Sequence, residues 1–318
     1  MGSRPRSCRK WDKVPCRSPT ASRVACLYGF TRFEPAPLAT DELEDVGLAV
    51  SGAPLGQTPD WLPAVEQFGE GFFLQFAPEA LVAWLSQPGL LERAGQLQAG
   101  ATAWINQKRS RGEKVSENSF RERGRPEYIL AHSLAHALMS EVALDCGYPA
   151  SALKERLYVP PRLPGQPTQC GILIYTAAAG NQGTLGGLVE VTRRFVRLLK
   201  SALERERLCS GDPVCAGHNP TIAHDDRTLH GAACHGCLLV AETSCEARNL
   251  FLDRALIVDT VNQPRRFFWL SAKRALGIWR ADRETVATEE LSSSSLDRSR
   301  QRMKEPSSKT ALDDISGL

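Results

Sequence analysis

The stretch "GILIYTAAAGNQGTLGGLVEV", Gly171–Val191, changes its hydrophobic rhythm half-way along. From Cys170 to Ala178 it is uncharged, β-branched and aromatic, which predicts a strand buried on both faces. Beyond the glycine loop an apolar stripe is formed by Leu188, Val191, Phe195, Leu198, Leu199 and Ala202. They recur at helical spacing and predict a helix over about 188–208. Strand, glycine loop and helix in succession set the fold class: α/β, a small mixed sheet with helices packed on it. A glycine loop opening a helix can offer N–H groups to an anion. No G-K-[ST] follows, and the pattern is not G-x-G-x-x-G, so neither nucleotide loop is present. Tight packing of helix on strand is the preferred reading, with anion contact second.

Upstream, "EYILAHSLAHALMSEVALDCGYP" (127–149) keeps helical spacing until Gly147 and Pro149 end it. "SALKERLY" (151–158) reads as a second, short helix capped by Ser151. Further back, "GEGFFLQF" (69–76) predicts a buried strand, and "PEALVAWL" (78–85) a helix with Pro78 at its first position. Residues 106–126 are charged and almost devoid of apolar side chains, as expected of a linker or loop. Downstream, "EARNLFLDRALIVDTV" (246–261) reads as a helix. These boundaries divide the chain into a flexible basic segment (1–27), a strand and helix region (28–105), the charged linker (106–126) and a main domain (127–285). A Ser-rich tail (286–318) follows, too polar to fold.

The 318 residues, 42% hydrophobic and 24% charged, have the balance of a soluble globular protein. The net charge of +3 does not by itself argue for nucleic acid. Arg4, Arg6, Arg9, Lys10, Lys13, Arg17, Arg23 and Arg32 crowd the start, but no apolar segment follows them as in a signal peptide. No window is apolar enough to span a membrane. A cytoplasmic chain is therefore expected, and its ten cysteines point to metal or buried thiols rather than disulfides.

Five of those cysteines lie close together. Cys234 and Cys237 form a C-x2-C knuckle in "HGAACHGCLLVAETSCE", with Cys245 eight residues on, and Cys209 and Cys215 bracket "CSGDPVC". Two ligand pairs from separate loops is the usual plan of a closed, structural tetrahedral zinc site. Cys234, Cys237 and Cys245 are expected as ligands, with either Cys209 or Cys215 as the fourth. His230 is a weaker substitute, and His235 is badly placed inside the knuckle. His132 and His136 share a helix face in "HSLAH", but Ser133 stands where a metalloprotease would carry its Glu. They are expected to be core histidines, or partners of ligands. Arg193, Arg194, Arg197 and Lys200 form a basic helix face, read equally as solvated surface or as phosphate contacts. No complete catalytic constellation is present.

The order of "GFTRFEP", "APLGQTPDWLPAVEQFGEGFFLQF", "LAHSLAHALMSEVALDCGYPASALKERLY", "GILIYTAAAGNQGTLGGLVE", "LCSGDPVC" and "AACHGCLLVAETSCEARNLFLDRALIV" resembles the C-terminal part of DrmB, a component of the DISARM anti-phage defence system. A more distant version of this domain closes the MrfA-type DNA-repair helicases, where four cysteines bind zinc. The resemblance runs from about Tyr28 to Leu256. It implies a non-catalytic, zinc-binding subunit that works beside a DrmA-like helicase on foreign DNA. Cys209, Cys215, Cys234, Cys237 and Cys245 match the family's cysteines, and Asn249–Arg254 its "N-x-x-L-D-R" run. The chain departs from DrmB in its shorter N-terminal half and in "CRKWDKVPC". A stand-alone nucleic-acid-binding regulator and a hydrolase using the His132/His136 face are the alternatives.

Overall fold

The computed structural model describes residues 16–17, 20–26, 61–112, 117–176, 187–222 and 229–261. The chain divides into two units, 1–272 and 273–318, and all described residues belong to the first. The glycine loop before Gly187 and the Ser-rich tail lie outside the described residues.

The backbone runs β1 (Cys16–Arg17), β2 (Thr20–Cys26), β3 (Ala64–Gln75), α1 (Pro78–Leu85), α2 (Pro88–Ser110), α3 (Glu117–Arg123) and α4 (Pro126–Cys146). β4 (Leu153–Tyr158), β5 (Gly171–Thr176) and α5 (Gly187–Glu206) follow. The sheet order is β1-β3-β5-β4, with β2 also on β3. Every described pairing is antiparallel, so the small sheet expected as mixed is antiparallel there. β1 and β2 share one register along β3: Cys16 faces Leu74, and Thr20 to Cys26 face Glu70 to Ala64. Two strands thus stand within residues 1–27, which the sequence suggested were flexible.

The core forms between the sheet and α4. Alternate residues point inward: Phe72 and Leu74 on β3, Ile172 and Ile174 on β5, Leu153 and Leu157 on β4. From Pro126 to Met139 every residue of α4 is buried, because sheet, α5 and the cysteine loops surround it. A helix buried on all sides is apolar on all sides, as "YILAHSLAHALM" is. Gly147 ends α4 with φ 73°, the left-handed conformation that closes helices at a residue lacking Cβ. α5 packs on α4 and reaches the sheet through Phe195, whose ring meets Phe72 edge-on at 6.2 Å.

Three readings of the sequence are corrected. "SALKERLY" is not a helix: Ala150–Ala152 make a 3-10 turn and Leu153–Tyr158 pair with β5. Its residues have good helix propensity, but the alternation of Leu153, Glu155 and Leu157 fits a half-buried strand, and tertiary packing decides. Residues 246–261 are not one helix either. Arg248, Asn249 and Phe251 have φ of 52°, 60° and 59°, and only Arg254–Leu256 turn helically. Finally, the charged segment 106–126 carries the end of α2 and all of α3. Phe120 is its buried anchor, stacked on Trp104 at 4.5 Å.

Candidate metal centre

Two loops deliver four cysteines to one point. The first begins three residues after α5 ends. Asp212 shapes it, accepting the Cys209 amide at 3.0 Å and the Ala216 amide at 3.1 Å. Local hydrogen bonding of this kind lets an Asx side chain fold a turn without secondary structure. The second loop is the Cys234–Cys237 knuckle. Its tightness requires Gly236: a Cβ there would fall 2.4 Å from Ser210 Oγ and 3.2 Å from Cys209 Sγ.

The Sγ atoms of Cys209, Cys215, Cys234 and Cys237 all lie within 4.8 Å of one another. Cys209–Cys234 measures 3.3 Å, Cys215–Cys237 3.8 Å and Cys234–Cys237 3.8 Å. A tetrahedral zinc with Zn–S of about 2.3 Å would set them about 3.8 Å apart. Backbone amides point at the sulfurs: Gly211 to Cys209, Gly236 to Cys234 and Cys234 to Cys237, each at 3.3 Å. Such N–H···S bonds favour the thiolates that a metal needs. Without a metal, burial pushes the Cys209 thiol up to about 11, and a hydrogen bond to Cys215 together with burial raises Cys237 further. A cation among four sulfurs so close would offset that cost of deprotonation.

The Asn249–Arg254 run braces the site from behind. Asp253, fully buried, accepts the Ala232 amide at 2.9 Å and Arg93 Nε at 2.7 Å. Arg254, also buried, donates to Asp212 and, at 2.8 Å, to the Glu206 carbonyl. It ties the first cysteine loop to the end of α5. The Arg254 amide reaches Ala232 O at 3.0 Å, beside the knuckle.

The cluster differs from the ligand set expected. Cys209 and Cys215 stand together in the cluster, with Cys234 and Cys237; Cys245 stands apart, its Sγ 3.1 Å from His132 Nε2. The eight residues after Cys237 carry Cys245 towards α4, so nearness in sequence misled. Neither His230 nor His235 belongs to the cluster. Of the basic face, Arg194 and Arg197 both hold Asp145, at 2.7 and 2.6 Å, and Arg193 holds Glu190 at 3.0 Å. Lys200 is engaged as well. These are the contacts of a solvated helix face. Glu155 and Asp212 carry no role in the sequence reading, and Asp253 enters it only as part of the "N-x-x-L-D-R" run. Only "D-P" after Gly211 hinted at a turn-forming Asp, and Glu155 was hidden by the reading of β4 as a helix.

Residues 134–238 match the MrfA Zn-binding domain. That span includes Cys209, Cys215, Cys234 and Cys237 and stops short of Cys245. The DISARM protein DrmB of Bacillus paralicheniformis is 35% identical over 243 residues, 75% of this chain and 39% of that protein. The resemblance to DrmB holds. The chain spans about two fifths of DrmB's length, so what the whole of DrmB does is not carried over with the match. A crystal structure of the DUF1998 helicase MrfA bound to DNA aligns with 66% of this chain and 23% of that one, at 12% identity. Its TM-score is 0.29, too low to carry an argument. The similarity to DrmB, the zinc-binding match and the four-thiol cluster together point to zinc. Among the described residues no helix is long and apolar enough to cross a membrane.

Proposed function

We propose that the chain is a non-catalytic, zinc-binding subunit of a DISARM-like defence complex, acting in the cytoplasm with a DrmA-like helicase partner on foreign DNA. The similarity to DrmB carries this reading. The site chemistry supports its non-catalytic part. Four thiolates close a tetrahedral ion completely, whereas catalytic zinc keeps one position for water or substrate. The ion would be structural, held by Cys209, Cys215, Cys234 and Cys237, and would order two loops that bury few apolar side chains of their own. Arg193, Arg194 and Arg197 of α5 are already paired with Glu190 and Asp145, which counts against direct phosphate contact as the role of that face.

Co-expression with a DrmA-like helicase tests the reading. A stable complex should co-purify, and phage plating should fall only when both are present. Cys234→Ser should abolish both effects. Absence of a complex together with unchanged plating would defeat the proposal. DNA affinity measured across salt separates the roles: a steep fall would assign phosphate contacts to this chain.

A further inference from the structure

Outside the four-cysteine cluster the core holds a second group of donors. His132, His136, Glu155 and Cys245 are all buried, and one donor atom from each lies within 4.8 Å of the others. We propose that these four residues form a second, structural metal site whose ion is Zn²⁺.

The orientation of the histidines argues for it. They lie one turn apart on α4, where i and i+4 share a face. Each ring directs Nδ1 at a backbone carbonyl, His132 at Phe251 O (3.2 Å) and His136 at Leu238 O (2.7 Å). A carbonyl only accepts, so each Nδ1 carries the proton and each Nε2 faces the centre. A carbonyl holding the far nitrogen is the usual support behind a metal-bound imidazole.

The sulfur is prepared as it is at the first cluster. Cys245 Sγ receives the amides of Ala247 at 3.3 Å and Asn249 at 3.1 Å. Asn249 can aim its amide there because it adopts φ 60°, pinned by both polar atoms of its side chain on Val240. Two amides on one sulfur stabilise a thiolate.

Glu155 supplies the last donor. The period of β4 turns it inward between Leu153 and Leu157. Its Oε1 is 3.0 Å from His132 Nε2 and 3.3 Å from His136 Nε2. Its Oε2 is buried and has no hydrogen-bond partner among the described residues. A carboxylate on the inward face of a strand, short of one partner, suits a cation. In a tetrahedral zinc site, N···O spacings would be about 3.3 Å and N···S about 3.6 Å. The N···O distances found, 3.0 and 3.3 Å, lie within a few tenths of these, and the N···S distance of 3.1 Å is about 0.5 Å short of the tetrahedral value, so the sulfur would draw back slightly on an ion. Two imidazoles, a thiolate and a carboxylate are all donors that Zn²⁺ takes, and the thiolate disfavours Mg²⁺ and Ca²⁺.

No coordination position opens to solvent, since the side chains of both histidines and of Glu155 are 0% exposed. The ion would join α4, β4 and the turn after Cys245, three elements remote in sequence. It also explains why Cys245 leaves the first cluster. The competing arrangement is metal-free, with the two imidazoles hydrogen-bonded directly to Glu155 and Cys245.

Metal content and X-ray absorption on the full chain decide between them. After dialysis against a weak chelator, zinc should be found at two ions per chain. The averaged first shell should show sulfur to nitrogen and oxygen at five to three, the sum of the two donor sets. Cys245→Ser should lower the count to one and leave an all-sulfur shell. Should that variant fail to fold, the wild-type count and shell still decide. One zinc per wild-type chain with only sulfur around it overturns this proposal and leaves the four-cysteine centre standing; no zinc at all defeats both.

Discussion

Asp253 shows how much one residue can hold. It is fully buried and accepts from Arg93, Ala232 and Ala255, while its own amide donates to Ser133 Oγ on α4 at 2.9 Å. Arg93 keeps its carboxyl below the usual range even though burial works the other way. Replacing it with Ala leaves Arg93 charged, buried and unpaired. Breaking such a pair costs about 3–5 kcal/mol, and urea unfolding of Asp253→Ala should show it. Glu206 behaves oppositely. Burial lifts its carboxyl to about 7, against the pull of Arg254. In the unfolded chain it ionises near 4.5, so folding favours its protonated form and stability falls as pH rises from about 4.5 to 7. Glu206→Gln removes that dependence and should stabilise the protein by about 2–3 kcal/mol above pH 7, with no gain at pH 4. The difference in melting temperature between the two proteins across pH checks this. At this scale the sequence was partly legible. The C-x2-C spacing marks Cys234 and Cys237 as partners because one tight turn can deliver both. Nothing local distinguishes Cys245 from Cys209 or Cys215, because where each loop leads depends on side chains such as Asp212 and Asn249.

Elements were legible where one rhythm dominated. α4, β5 and α5 stand where their spacing put them, and Gly147 ends α4 as expected. Mixed signals misled at β4, whose six residues satisfy a short helix and a strand alike until β5 is known to lie beside them. The strand pattern makes its own test. Leu153, fully buried, should cost about 2–5 kcal/mol as Leu153→Ala. Lys154, on the other face, should cost under about 1 kcal/mol as Lys154→Ala. Glu155 separates strand from helix, since a strand turns it to the face of Leu153 and Leu157 whereas a helix would set it on the far side; a negligible loss for Glu155→Ala in thermal melts would contradict the strand. The turn after Cys245 was illegible for a different reason. "EARNLFLDRALIV" has good helical composition, and its left-handed residues at 248, 249 and 251 follow from what Cys245 and Asn249 bind.

At the scale of the molecule, core and cysteine loops differ in what could hold them. The sheet, α4 and α5 bury a continuous apolar interior, whereas the loops around Cys209–Cys237 would, on the proposed reading, be ordered by an ion. A structural zinc supplies on the order of 10 kcal/mol to such a module. Chelation at neutral pH should therefore expose 209–245 to proteolysis. Most helical signal should survive, because α2, α4 and α5 lie outside the loops. Limited digestion followed by mass spectrometry would locate the cuts, and protection of 209–245 in excess chelator would contradict a metal-dependent module.

The shared register of β1 and β2 along β3 has a practical side. Between them they cover positions 64–70 and 73–74 of a twelve-residue strand. Shortening the protein to begin at Tyr28 would leave those amides and carbonyls unpaired. Bare edges of that length invite the same edge of another copy. The shortened form should self-associate with rising concentration in sedimentation runs, and the full chain should resist it. On that outcome, β1 and β2 would serve to cover an edge that otherwise pairs with another copy.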